Sequence, residues 1–280
     1  MKKLIFQILM SFVFVLSISL IARATPITLE DENSTATIDP ATQSGMYNWF
    51  VDGQDVLYQQ WFWYRIGNTG PETSINTLSL VSNPYTSDSD GDGDVDSLYA
   101  KYKDAGNTFT IETKYGLTGS PSGSRSSDIT ETITINNTSG ADLNFHFFQY
   151  TDFDLPCILR GNTANRINAN LITQSGSLFF TEVSAIPAPN RWQIDYYPTI
   201  RTSLNDGSPT TLSNGTNGLG LGDMTFAFQW DPVITAGGSF KISKDKLVSP
   251  QIPEPGTMLL IGSLATGLFG FASARKRFNS

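Results

Sequence analysis

From residue 108 to residue 248 the chain falls into short runs in which Thr, Ile, Phe and Tyr recur with the two-residue period of a β-strand. The runs are Thr108–Thr118, Ser127–Asn136, Leu143–Thr151, Leu178–Val183, Arg191–Tyr197, Thr225–Trp230 and Ser239–Val248. Turn-forming clusters at 119–123, 136–140 and 214–222 separate them. In one run Ile129, Glu131, Ile133 and Ile135 alternate with Thr130, Thr132, Thr134 and Asn136, so one face carries three isoleucines and a glutamate. The next run is apolar at Leu143, Phe145 and Phe147, and the turn residues Asn136 to Gly140 predict a hairpin between the two. No segment between the termini has a convincing helical period. The expected fold is all-β, an antiparallel, jelly-roll-like β-sandwich over residues 25–252.

The two ends follow different patterns. Lys2 and Lys3 precede an apolar stretch from Leu4 to Ile21, and Ala22 and Ala24 supply the small residues a signal peptidase reads, which predicts a signal peptide over 1–24. At the other end residues 257–274 are uncharged and largely apolar, long enough for a membrane-spanning helix, and Arg275, Lys276 and Arg277 follow at once. The basic cluster keeps that terminus cytoplasmic and the body of the protein outside.

Ile252, Pro253, Glu254 and Pro255 stand immediately before that span. The Pro-Glu-Pro triplet, the short hydrophobic helix and the terminal basic cluster together resemble the PEP-CTERM sorting signal, here over residues 253–280, with Ile252 where valine is commonest. The resemblance implies a substrate of exosortase, a membrane-embedded protease-like enzyme that removes the tail near the triplet. It also implies a Gram-negative host that makes exopolysaccharide, and delivery to the cell surface or extracellular matrix. The residues suit such processing: two prolines hold the segment extended, because proline lacks the N–H and disfavours helix in the residue before it.

Composition narrows the chemistry. One cysteine, Cys157, and one histidine, His146, exclude an internal disulfide framework, multi-thiolate metal centres and two-histidine metalloprotease motifs. The whole chain carries a net charge of −8, and the 25–252 region, with 12 basic and 25 acidic residues, carries −13. Such a surface repels nucleic acid and anionic polymers, and suits neutral glycans or divalent cations.

Three local features remain. Asp88, Asp90, Asp92, Asp94 and Asp96 alternate around Gly91 and Gly93, concentrating the hard oxygen ligands that Ca²⁺ requires. The spacing resembles the start of an EF-hand-type loop, but Tyr99 stands where the bidentate glutamate belongs. Trp61 and Trp63 share one face of an aromatic run, as a sugar-stacking platform or as a buried central strand. His146 reads as a packed or rim residue, whereas Asp152 and Asp154 supply a carboxylate pair of the kind that binds a cation or serves glycan hydrolysis. The expectation is an exported, non-enzymatic surface or matrix protein with a structural or adhesive role beside exopolysaccharide. A carbohydrate-binding module or a secreted glycan-processing enzyme is the alternative. A carboxylate-lined groove would favour the enzyme, and a closed aromatic core the structural role.

Overall fold

The computed structural model describes residues 25–156, 161–217 and 220–251. The signal peptide, the 257–274 span and the sorting residues Pro253, Glu254, Pro255, Arg275, Lys276 and Arg277 lie outside them. Among the described residues no helix is long and apolar enough to cross a membrane.

Regular structure in the described chain is almost all strand, arranged as two mostly antiparallel sheets. The first sheet runs in spatial order Ile27–Asp31, Ser34–Asp39, Gly45–Val51, Gln59–Ile66, Leu143–Asp152, Met224–Trp230, Arg191–Tyr196 and Gly215–Asn217. The second runs Thr163–Arg166, Leu171–Ser175, Phe179–Ile186, Ser239–Pro250, Ser127–Asn137, Phe109–Thr118, Ser97–Lys103 and Ser79–Leu80. All seven patterned runs are strands, with ends within about three residues of those the alternation predicts.

The expected hairpin between residues 127–136 and 143–151 does not form. Strand Ser127–Asn137 pairs with Phe109–Thr118 and Ser239–Pro250 in the second sheet, while Leu143–Asp152 pairs with Gln59–Ile66 and Met224–Trp230 in the first. The intervening residues arch between sheets. Asn137 is buried at the arch and its amide Nδ2 donates to the carbonyls of Ala141 (2.8 Å), Ile234 (2.8 Å) and Thr235 (3.0 Å). A side chain that satisfies carbonyls on both sides of the crossing replaces the turn hydrogen bonds of a hairpin.

The sheets differ in how they are covered. In the second sheet Ile129, Ile133 and Ile135 are buried while their alternating threonines are only partly covered or exposed, as a sheet with one wet face requires. The central strands of the first sheet are buried on both faces. Phe62 stacks on Phe147 at 5.5 Å, and Tyr64 meets Phe109 of the opposite sheet at 5.2 Å, which closes the inter-sheet core. The other face is covered by a segment containing the one-turn helix Thr199–Ser203: Arg65 Nη1 donates to the carbonyl of Thr210 (2.9 Å), and the Leu212 N–H donates to Gln229 Oε1 (2.9 Å).

This double cover decides the tryptophans. Trp61 and Trp63 are fully buried, with Trp61 Nε1 donating to Ser74 Oγ (2.9 Å) and Trp63 Nε1 to Asn205 Oδ1 of the outer segment (3.3 Å). That corrects the reading of Trp61 and Trp63 as a sugar-stacking platform, because both rings are core on a strand sandwiched between layers. Gly45 fits the same packing: its φ is +61°, and a Cβ there would collide with the Trp61 ring and the Gln60 carbonyl.

Candidate functional site

At one end of the first sheet, two adjoining clefts open beside the point where strand Leu143–Asp152 runs into Phe153, Asp154 and Leu155. The larger, about 410 Å³, is lined by Gln43, Ser44, Tyr47, Asn48, Asp55, Tyr58, Gln59, Asp154 and Arg201. The smaller, about 300 Å³, is lined by Tyr58, Asp152, Asp154, Tyr197 and Asp223, so Tyr58 and Asp154 belong to both.

Backbone pairing fixes these side chains. The Tyr58 N–H donates to the Asp152 carbonyl (3.0 Å) and the Asp154 N–H to the Val56 carbonyl (3.1 Å), which ties the two lips of the cleft together. On the opposite lip the Tyr197 N–H donates to the Asp223 carbonyl (2.9 Å). Tyr58 and Tyr197 are 53% and 37% exposed, and their rings meet edge to face at 6.1 Å. Arg201 Nη1 reaches the Tyr197 hydroxyl at 3.5 Å. Two accessible phenol rings beside amides, carboxylates and one guanidinium make a surface that can stack on a sugar face and bind its hydroxyls.

The carboxylates differ in environment. Asp152 is buried and accepts a hydrogen bond from the Tyr150 hydroxyl at 3.0 Å. Burial first, then the neighbouring charge of Asp223, pushes the Asp152 carboxyl up to about 7, against a lowering by the Tyr150 hydrogen bond. Asp55 is raised by burial, opposed by the hydrogen bond from the Leu57 N–H and reinforced by the charge of Asp154. Asp223 is raised by burial and then by Asp154. Burial and like charge thus hold the Asp152 carboxyl able to donate as well as accept.

Sequence reasoning reached Asp152 and Asp154 and missed Asp55, Asp223, Tyr197 and Arg201. Those four come from three other segments, and no local spacing marks them. His146 lies elsewhere, with Nδ1 2.6 Å from Asp231 Oδ1 and Nε2 3.2 Å from Asn68 Oδ1. Both ring nitrogens have polar partners at the rim of the first sheet.

The acidic loop gathers a second set of carboxylates. Carboxylate oxygens of Asp88, Asp90 and Asp96 lie within 4.8 Å of one another, and those of Asp31, Asp90 and Asp92 do likewise. Asp90 belongs to both groups and Asp94 to neither. Asp31, on the first strand, carries no sequence signal for this role. The loop is wrapped by its own amides: Asp88 accepts from the N–H groups of Gly91 (2.6 Å) and Gly93 (3.0 Å), and Asp96 from the Ser89 N–H (2.9 Å) and hydroxyl (2.6 Å). Gly91 and Gly93 hold φ of +88° and +109°, so the glycines are required by the backbone. Oxygen-only donors on a wrapped loop fit a hard divalent cation.

No family model and no curated protein sequence matches the chain. Among solved structures, a bacterial glucoamylase complexed with acarbose is similar in fold, with a TM-score of 0.57 at 9% identity over 82% of this chain. This chain spans 32% of that enzyme, about a third of its length. A protein from Synechocystis sp. PCC 6803 has a TM-score of 0.49 at 12% identity, covering 82% of this chain and 97% of its own. An Escherichia coli K12 protein described as a putative aldose 1-epimerase has a TM-score of 0.48 at 12% identity, covering 81% and 99%. At these identities the glucoamylase likeness shows a shared sandwich fold.

Proposed function

We propose that this is an exported surface or matrix protein, sorted by its PEP-CTERM tail and processed by signal peptidase and exosortase, whose β-sandwich binds neutral glycan. The observation that carries the glycan reading is the pair of adjoining clefts joined at Tyr58 and Asp154, with exposed phenol rings and amide and carboxylate groups converging on one end of the first sheet. The net charge of −13 over residues 25–252 disfavours anionic polymers and leaves neutral exopolysaccharide as the better partner. A glycan array tests it: binding of neutral oligosaccharides by the wild type, lost in Tyr58→Ala, supports the reading, and an array without hits defeats it. Cell fractionation with intact-mass measurement on the native host tests the sorting. A complete tail on fully sorted protein would defeat the processing step.

A second reading, glycan processing at the same cleft, is favoured by one observation. Asp152 holds its proton near neutrality beside the exposed Asp154, which is the division of labour that general acid–base work on a glycosidic or anomeric centre uses. Turnover of a glycan that binds, abolished in Asp152→Asn and in Asp154→Asn, would establish it. Binding without turnover leaves the protein a binding module.

The acidic loop is proposed as a Ca²⁺ site held by Asp88, Asp90 and Asp96 with Asp31 and Asp92, serving to fasten the loop to the first strand. Calorimetric titration with Ca²⁺ decides that point.

A further inference from the structure

Strand Ser239–Pro250 turns two lysines into the core. Lys244 and Lys246 stand between Ile242 and Val248 on the inner face, and both are buried, Lys246 completely. They meet the buried Glu131 on the neighbouring strand and the buried Gln60 on strand Gln59–Ile66 of the opposite sheet. Burying a lysine costs several kcal/mol unless it is paired, and here two amines share one carboxylate.

The contacts distribute roles. Both lysines pair with Glu131, but only Lys244, with Nζ 2.8 Å from Glu131 Oε2, also lies over an aromatic face, 5.8 Å from the centre of the Phe62 ring, which favours its charged form. Lys246 Nζ contacts both Glu131 Oε1 and the Gln60 carboxamide oxygen Oε1. Gln60 Nε2 in turn donates to the same Glu131 Oε1 at 2.7 Å. One carboxylate oxygen therefore touches both an amine and the nitrogen of the carboxamide beside it. The Gln60 carbonyl oxygen is also 3.5 Å from the Lys244 ammonium.

We propose that Lys246 and Gln60 are the partners of a self-catalysed isopeptide bond that joins the two sheets. Lys246 Nζ, as the free amine, attacks Gln60 Cδ, forming the new C–N bond while the carbonyl electron pair moves onto Oε1. The Lys244 ammonium faces that oxygen and stabilises its charge. Glu131 Oε1 accepts the proton released by Lys246 Nζ and returns it to Gln60 Nε2. The C–N bond to Nε2 then breaks, the carbonyl reforms and ammonia leaves. No oxidant, reductant or external donor is needed. Burial, opposed by the Glu131 charge and helped by the second lysine, brings the Lys246 amine down to about 7, so a share of it is the neutral nucleophile. Against the burial that raises it, the Lys244 charge holds the same carboxylate low and ionised, available as the proton acceptor.

Peptide mapping of the purified full-length chain, folded and then denatured and digested, reads the bond directly. The expected result is a branched peptide joining Gln60 to Lys246, lighter than its two components by about 17 Da, the mass of one ammonia. Lys246→Met, which fills the site with an apolar chain, should give only linear peptides. Glu131→Gln should slow formation about 100-fold, in line with loss of a positioned proton carrier. Unmodified linear peptides containing Gln60 and Lys246 from the folded wild type overturn the proposal regardless of how the variants fold. A bond from Lys244 overturns the assignment of the nucleophile, and undiminished linkage in Glu131→Gln overturns the role of the carboxylate.

Discussion

Asp152 and Asp154, two residues apart, share a cleft and not an environment: Asp152 is 2% exposed beneath the Tyr150 hydroxyl, while Asp154 is open to solvent and lines both halves of the cleft. Strand Leu143–Asp152 ends between them, so the first is held by the sheet and the second is presented by the segment that leaves it. That division gives the protein a sheltered acid and an accessible carboxylate at one place.

Glycan affinity should depend on the exposed members of this cleft. Replacing the largely exposed Tyr58 by Ala removes a stacking ring, and is expected to weaken oligosaccharide binding by about 1–2 kcal/mol, roughly 5- to 30-fold. Isothermal titration against an array hit measures it, and unchanged affinity would move the site elsewhere.

Asp152 should leave a mark on the pH dependence of stability. Its folded value, about 7, lies above the ordinary 3.8, so the folded state binds the proton more tightly than the unfolded chain. The resulting stabilisation is complete below about pH 4 and is lost as pH rises toward 7. Asp152→Asn should therefore match the wild type near pH 4 and exceed it near pH 8 by up to about 4 kcal/mol, read from urea unfolding at the two pH values.

Calcium should raise the melting temperature. At a concentration 100 times its dissociation constant, a cation bound only by the folded state adds about 2.7 kcal/mol. The expected result is a Tm increase on adding Ca²⁺, reversed by chelator and lost in Asp90→Asn, since Asp90 belongs to both carboxylate groups. Asp94→Asn should keep the effect.

The arch between the sheets depends on one side chain. Asn137→Ala strips the carbonyls of Ala141, Ile234 and Thr235 of a buried donor and is expected to cost about 2–3 kcal/mol in chemical denaturation. A change within about 0.5 kcal/mol would mean that water replaces the amide.

The strands were legible because their signal is local. Alternation in Ser127–Asn137 and Phe109–Thr118 reflects one dry and one wet face, and each residue reports its side without reference to the rest of the chain. The same alternation placed Glu131 among isoleucines, a conflict that only the buried lysines of another strand resolve. Strand Leu143–Asp152, buried on both faces, lacks that one-sided pattern, and the turn residues Asn136 to Gly140 serve an arch between sheets as well as a hairpin, so its partner is not legible locally. The acidic loop was visible as a spacing, but Asp31 was not, because it joins the loop from a strand some sixty residues away.

By itself, then, the sequence determined the β character, the positions of the seven patterned strands and the acidic loop, and it carries the expected addresses at the two ends, since period, turn chemistry and charge density act over a few residues. Tertiary structure alone decided which sheet each strand joined, that Trp61 and Trp63 are core, that Asp55, Asp152, Asp154 and Asp223 share a cleft, and that Gln60 meets Lys246. Backbone hydrogen bonds are the same in any pairing of strands, so partner choice rests on side-chain packing between distant segments, which exists only once the sheets have closed on each other.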